Sequence, residues 1–103
     1  MHRRKKTKAY ILANIQIHDA DVFKAYVEKV PALIAKHQGR YLVRGGESAN
    51  REGTFQPERM ILLEFPDKAA AEAFLDDPEY APVAALRHQS AHSDLIVMEG
   101  VKP

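Results

Sequence analysis

Arg44 and Glu64 stand out as residues whose types and placing suit chemistry. Each is a charge late in an otherwise apolar run, Arg40-Tyr41-Leu42-Val43-Arg44 and Arg59-Met60-Ile61-Leu62-Leu63-Glu64-Phe65. A charge in such a run must be paired or reach water. A guanidinium binds a carboxylate or polarises a carbonyl, and a carboxylate beside it orients it or takes a proton. If the two runs form a hairpin, Arg44 and Glu64 are expected on one face and near one end. The same geometry also makes a structural ion pair at a sheet edge.

Arg87 follows Tyr80 of the run Asp77-Pro78-Glu79-Tyr80. The arginine fork suits a carboxylate or phosphate, and a tyrosine stacks on a ligand or hydrogen-bonds it. The bland alternative is a packed Tyr80 and an Arg87 paired with a surface acid. His88 and His92 are spaced i, i+4, as two metal ligands on one helix face would be. His92 falls where that helix should have ended, and no third ligand stands at a recognisable spacing, so no metal site is expected. His37 reads as a helix-end residue with a catalytic role as its sharper alternative, and His18 as a loop residue. Asn14 and Gln16 read as a half-polar row of the first strand. Gly45-Gly46 lacks the spacing, the Lys-Ser/Thr and the following helix of a phosphate loop. No Gly-x-Ser-x-Gly elbow is present. With no cysteine in the chain, disulfides, thiolate nucleophiles and cysteine-held zinc or iron–sulfur sites are excluded. No cofactor is implied.

The elements that must hold these side chains are legible from periodicity. Tyr10–Ile17 alternates, with Ile11, Ala13, Ile15 and Ile17 on one face. Asp19 or Asp21 is a candidate cap for a helix running from Val22 to Gln38. Its apolar stripe is Phe23, Tyr26, Val30, Leu33 and Ile34. Pro31 should kink or split that helix, and Gly39 should end it in the left-handed conformation. Arg40–Arg44 and Arg59–Phe65 read as strands joined by a long polar loop over Glu47–Pro57, long enough to line a site. Lys68–Leu75 is an alanine-rich helix capped by Asp67. Asp77 and Pro78 read as the cap and first position of a last helix through Val83, Leu86 and Arg87. Ser93–Glu99 closes the order β-α-β-β-α-(α)-β. Crossover and hairpin rules fold it into a ferredoxin-like α+β domain, a four-stranded antiparallel sheet with helices on one face.

One domain accounts for the 103 residues, and 46% hydrophobic with 28% charged residues is ordinary for a globular protein. The boundaries read as a basic arm over 1–8, the domain over 9–101 and a tail at 102–103. The arm holds five Lys/Arg and no acid, while the remaining residues hold 10 Lys/Arg against 14 Asp/Glu. An acidic body offers phosphates no matching basic face, so the arm reads as a solvated terminus and nucleic acid is not the expected partner. No apolar run nears the ~20 residues that span a membrane. A cysteine-free chain suits the cytoplasm.

Helices on one face leave the other bare, and a bare sheet face should alternate with polar residues. Here Met60-Ile61-Leu62-Leu63 and Leu95-Ile96-Val97-Met98 are apolar on both parities, and Tyr10 and Leu12 add to the second face. A monomer rarely shows an apolar patch of that extent. A second copy laid sheet to sheet is the expected cover.

The runs Arg40-Tyr-Leu-Val-Arg-Gly-Gly46, Arg59-Met-Ile-Leu-Leu-Glu-Phe-Pro66 and Asp77-Pro-Glu-Tyr80 followed by Arg87 together resemble the domain of unknown function 1330 family. Tyr10–Ile17 and the helix-internal Val30-Pro31 are also similar to it, so the resemblance covers Lys8 to Val101. It implies a dimeric α+β barrel. The wider superfamily includes cofactor-independent monooxygenases, haem-degrading enzymes and lactone isomerases. By that resemblance Asn14 matches a polar residue that some of those enzymes use. The chain has no tryptophan, which separates it from haem-degrading relatives that use one. Two functions follow as expectations: a small-molecule enzyme with Arg44, Glu64 and Tyr80 at a pocket between sheet and helices, or a non-catalytic dimeric ligand-binding module.

Overall fold

In the computed structural model, residues 7–103 are described. Most of the basic arm, residues 1–6, lies outside the described residues. The elements run β1 (Ala9–Ile17), α1 (Ala20–Lys36), β2 (Arg40–Arg44), β3 (Arg59–Phe65), α2 (Lys68–Asp76), α3 (Ala81–Ser90) and β4 (Ala91–Glu99). The four strands form one antiparallel sheet in the order β2-β3-β1-β4, the ferredoxin-like arrangement.

β1 sits between β3 and β4, so its alternation sets both faces of the sheet. Ile11, Ala13 and Ile15 are buried beneath the helices. Ile17, expected in the same row, is exposed because the strand has run past the helical layer. The main core joins Ile11 and Leu63 to Val30, Leu33 and Ile34 of α1 and to Phe74 of α2. Phe65 stacks on Phe74 at 5.7 Å between ring centres.

α1 starts where Asp19 accepts a hydrogen bond from the Val22 amide at 3.2 Å. It is a single helix through Pro31, with no break. Proline removes one backbone bond there. Val30, Leu33 and Ile34, buried on either side of it, anchor the following turn against the sheet. The end of α1 also differs from expectation. Gln38, with φ 64°, takes the left-handed position. The amides of Gln38 and Gly39 return to the carbonyls of Ala35 and Ile34, a Schellman ending. Gly39 is needed for space instead. A Cβ there would lie 2.6 Å from the Phe65 ring and 2.9 Å from Ile34.

Asp77 does not cap α3. Pro78–Tyr80 form a turn, with the Glu79 amide on Asp77 Oδ1 at 2.8 Å and the Tyr80 amide on the Asp77 carbonyl at 2.8 Å. α3 begins only at Ala81, and β4 follows directly at Ala91. The expected strand start at Ser93 is two residues late. The long segment between β2 and β3 contains no strand.

Candidate functional site

α1 and α3 lean over the inner face of the sheet and leave a small cavity that is partly open to solvent. Its floor is the inner-facing residues of β1, β3 and β4, Ile11, Ala13, Ile15, Ile61, Leu63 and Leu95. Phe23, Val27, Val30 and Ile34 of α1 and Phe74 of α2 make the apolar walls. Into this apolar shell come three tyrosines, Tyr26, Tyr41 and Tyr80, and three arginines, Arg44, Arg59 and Arg87. Among the described residues no Asp, Glu or His lines it.

Local structure explains how Arg44 gets there. Side chains alternate along a strand, so Tyr41 and Arg44, three residues apart, belong on opposite faces. The β2–β3 register shifts between Tyr41 and Val43, so that Tyr41 pairs with Leu63 and Arg44 with Ile61. Leu63 and Ile61 both face the helices, so the bulge brings Arg44 to the inner face beside Tyr41. The Arg44 guanidinium lies 4.4 Å from the Tyr41 ring centre. Gly45 follows with φ +68°, and a Cβ on it would meet the Arg59 guanidinium at 2.6 Å. Glycine therefore serves both the turn and the close approach of Arg59.

Antiparallel register and the bulge together separate Arg44 from Glu64: Glu64, late in β3, sits opposite Arg40 at the start of β2, and Arg44 at its other end is turned to the other face. Glu64 pairs across the strands with Arg40 and Tyr10 on the outer face. Its carboxylate accepts from Arg40 Nε at 2.9 Å and from the Tyr10 hydroxyl at 3.2 Å, with Lys8 Nζ at 3.6 Å. Burial raises its pKa, but Arg40, Lys8 and Tyr10 together outweigh that and hold it below the ordinary carboxylate value. The expected Arg44–Glu64 constellation is thus two separate features, and Glu64 does not line the cavity.

Tyr80, 3% exposed, packs on Phe74 at 4.5 Å and meets the Tyr26 hydroxyl at 3.2 Å. Burial and the neighbouring Tyr80 oxygen push the Tyr26 phenol well above its ordinary value, so it stays neutral. Arg87 is 7% exposed. Its Nη1 donates to Ser93 Oγ, its Nη2 has a 3.5 Å contact with His88, the guanidinium interacts with the Tyr80 and Tyr26 hydroxyls, and its buried Nε has no partner. The expected surface acid is absent: among the described residues no carboxylate lies within ion-pair distance of Arg87.

His37 stands outside the cavity. Its Nε2 is 2.7 Å from Asp77 Oδ2, which also accepts from Lys36 Nζ at 2.8 Å. These bonds from Lys36 and His37 hold the buried Asp77 carboxyl far below the usual carboxylate range. The ring of His37 meets the edge of Phe74 at 6.2 Å, so it touches the cavity only through that wall. Asn14 faces the open side of the sheet. It accepts from the Glu58 amide at 2.8 Å and donates to the Gln56 carbonyl at 3.4 Å, fastening the long loop. His88 and His92 are exposed on different elements, α3 and β4. Among the described residues no three His, Asp or Glu side chains gather to hold a metal ion, and no helix is long and apolar enough to cross a membrane.

The structure therefore brings together Arg44, Tyr80 and Arg87 and leaves out Glu64, His37 and Asn14. Sequence reasoning missed Arg59 and read Tyr26 as ordinary core. A signal for Arg59 existed, since it shares strand parity with Ile61 and Leu63 of the inner face. Tyr26 gave none, because a tyrosine on an apolar stripe looks like packing.

No curated protein matches the chain in sequence. Among solved structures it is similar to RPA0582 of Rhodopseudomonas palustris, described as a protein of unknown function. The two share 18% identity with a TM-score of 0.73, over 98% of this chain and 88% of the other. It is also similar to SnoaB of Streptomyces nogalater, a cofactor-independent oxygenase, at 15% identity and a TM-score of 0.61 over 94% and 96% of the two chains. A dimeric protein of ferredoxin-like fold from Bacteroides fragilis matches at 14% identity and a TM-score of 0.59 over 90% and 96%. At such identities the likeness speaks for the fold alone. The sequence itself goes further: residues 8–101 match the domain of unknown function DUF1330, and the chain belongs to that family.

Proposed function

We propose that this protein is a dimeric receptor for a small, largely apolar organic molecule held between α1, α3 and the inner face of the sheet. The observation that carries this reading is the cavity itself. It is apolar on floor and walls and carries a few converging polar heads, the usual make-up of a small-molecule site. Arg44 and Tyr80 are proposed ligand contacts at its mouth and wall. Glu64, His37 and Asn14 are proposed to act in structure, through the ion pairs and loop contacts described above.

Catalysis is the second reading, as a cofactor-independent oxygenase or isomerase. The guanidinium set favours it, because fixed cations stabilise negative charge developing on a substrate. Among the described residues the lining offers no carboxylate or imidazole as a base. This confines the reading to substrates that ionise unaided. Oxygen uptake with a bound ligand separates an oxygenase from a binder.

The open sheet face supports the dimer. Val43, Leu62, Leu12 and Ile96 make one apolar row across all four strands, with Met60 and Met98 beside it. Ile96 is 52% exposed and Val43 41% in the single chain. The cysteine-free composition supports a cytoplasmic setting.

The cavity is tested with the neutral fluorophore N-phenyl-naphthylamine. One molecule per chain is expected to bind. Val27→Trp, at the half-buried wall, should fill the space and weaken binding about tenfold or more. Ile96→Asp, on the opposite face, should leave it unchanged. Equal binding by a folded Val27→Trp protein would overturn the reading.

A further inference from the structure

Arg87 is a buried cation with no carboxylate partner among the described residues. It is 7% exposed, and it meets the Ser93 hydroxyl, the His88 ring, the Tyr80 hydroxyl and Tyr26, whose ring centre is 5.8 Å away. A desolvated charge is stable only when it is paired and its donors are satisfied. Here the pairing is incomplete. Nη1 donates to Ser93, Nη2 has a long contact with His88, the Tyr80 and Tyr26 hydroxyls interact with the guanidinium, and Nε is buried with no acceptor. All of these partners are formally uncharged groups or a ring, whereas a guanidinium is matched best by a carboxylate.

The rest of the cavity points the same way. Its charged groups are Arg44, Arg59 and Arg87, with no acid among the lining residues. Arg59 and Ser93 lie on one cross-strand row, on either side of Ile15. Arg87, held on Ser93, therefore stands about two strand spacings, roughly 10 Å, from the strand position of Arg59. Cations flank the apolar floor with nothing to neutralise them. Any ligand that fits the apolar floor and lacks charge would leave this potential uncompensated.

We propose that the ligand is a small carboxylic acid with an apolar body, bound as its anion, with the carboxylate paired to the Arg87 guanidinium. This rests on the reading of the cavity as a small-molecule site and names the class of molecule it takes. Arg59 and Arg44 add long-range attraction from the side and mouth. The neutral Tyr26 hydroxyl stands beside the guanidinium as a further donor. Arg87 is thus a binding residue that selects for charge, and the apolar walls select for shape.

The test compares naphthoate with naphthylmethanol, which has the same ring system and a neutral head. The proposal expects naphthoate to bind at least tenfold more tightly. In Arg87→Met that preference should fall at least severalfold, to what Arg44 and Arg59 supply at long range, and an undiminished preference in the folded variant overturns the proposal. Calorimetry on the unaltered protein gives a second readout that does not depend on the variant folding. Near the acid's own pKa, in buffers of different ionisation heat, binding should release a proton, because only the ionised form is taken up. Equal affinity for acid and alcohol, or no proton release, overturns the anion proposal and leaves the cavity reading standing if N-phenyl-naphthylamine binds. Failure of all three probes overturns both.

Discussion

At the residue scale, the most consequential carboxylate is Asp77. It is buried at the corner where α2 ends, and it holds Lys36 and His37 at the end of α1. It also sets the turn that delivers Tyr80 to the cavity. Its pKa is strongly lowered, chiefly by the Lys36 ammonium and then by His37. A lowered folded pKa means that the unfolded chain takes up the proton first as pH falls. The stability Asp77 contributes is therefore complete above its ordinary value of 3.8 and is lost as pH drops from there towards the folded value. Asp77→Asn keeps the oxygen that accepts the Glu79 amide but loses the charge. It should lower the urea midpoint at neutral pH, and its difference from the parent should shrink progressively in acid. A difference that stays constant with pH would mean that the ion pairs contribute nothing. The mistaken expectation for Asp77 is instructive. An aspartate before a proline matches a helix cap in local sequence, and only the arrival of Lys36 and His37, some forty positions earlier in the chain, reveals its partners.

At the element scale, the end of α1 separates two requirements that sequence reading merged. Gln38 supplies the left-handed residue and Gly39 the empty space under Phe65. Gly39→Ala should therefore be costly, about 1–3 kcal/mol as for other overpacked cores. Gln38→Gly should be neutral or stabilising by up to about 1 kcal/mol, since it relieves the left-handed conformation. Denaturant unfolding of the two variants checks this, and the opposite ranking would return the conformational role to Gly39. The β2 bulge is the other decisive local feature. An unbroken alternation would place Arg44 on the outer face with Arg40 and Glu64. One extra residue brings it beside the cavity instead. Nothing in Arg40–Arg44 marks that residue, because register is a property of the pair of strands.

At the scale of the whole molecule, the sheet has two unlike faces. One is covered by α1, α2 and α3. The other presents the row Val43, Leu62, Leu12 and Ile96 to solvent in the single chain. Closing that face against a second copy would remove apolar surface worth roughly 25 cal/mol per Å². A stable pair buries on the order of 800 Å² on each partner. The expectation is a mass near twice 11.6 kDa in native mass spectrometry. The melting temperature should rise with protein concentration, as linkage requires of a dimer. Leu12→Asp, placing a charge in the middle of the row, should give the monomer mass. A parent protein that is monomeric at all concentrations would refute the pairing.

Element order and the sheet's two-sided apolar character were legible in the chain, because periodicity of 2 or 3.6 residues is a local property, and the family was legible in its set of short motifs. The sequence also marked Arg44, Tyr80 and Arg87 as chemistry-bearing. What it left to the tertiary structure is which of these meet. The bulge turned Arg44 inward and away from Glu64, the α2–α3 corner claimed Asp77 and His37, and the meeting of α1 with α3 set Tyr26 beside Tyr80 and Arg87. Each of those outcomes depends on strand register or on contacts between elements distant in the chain. Such contacts are fixed by packing the whole molecule at once, so no local window of sequence contains them.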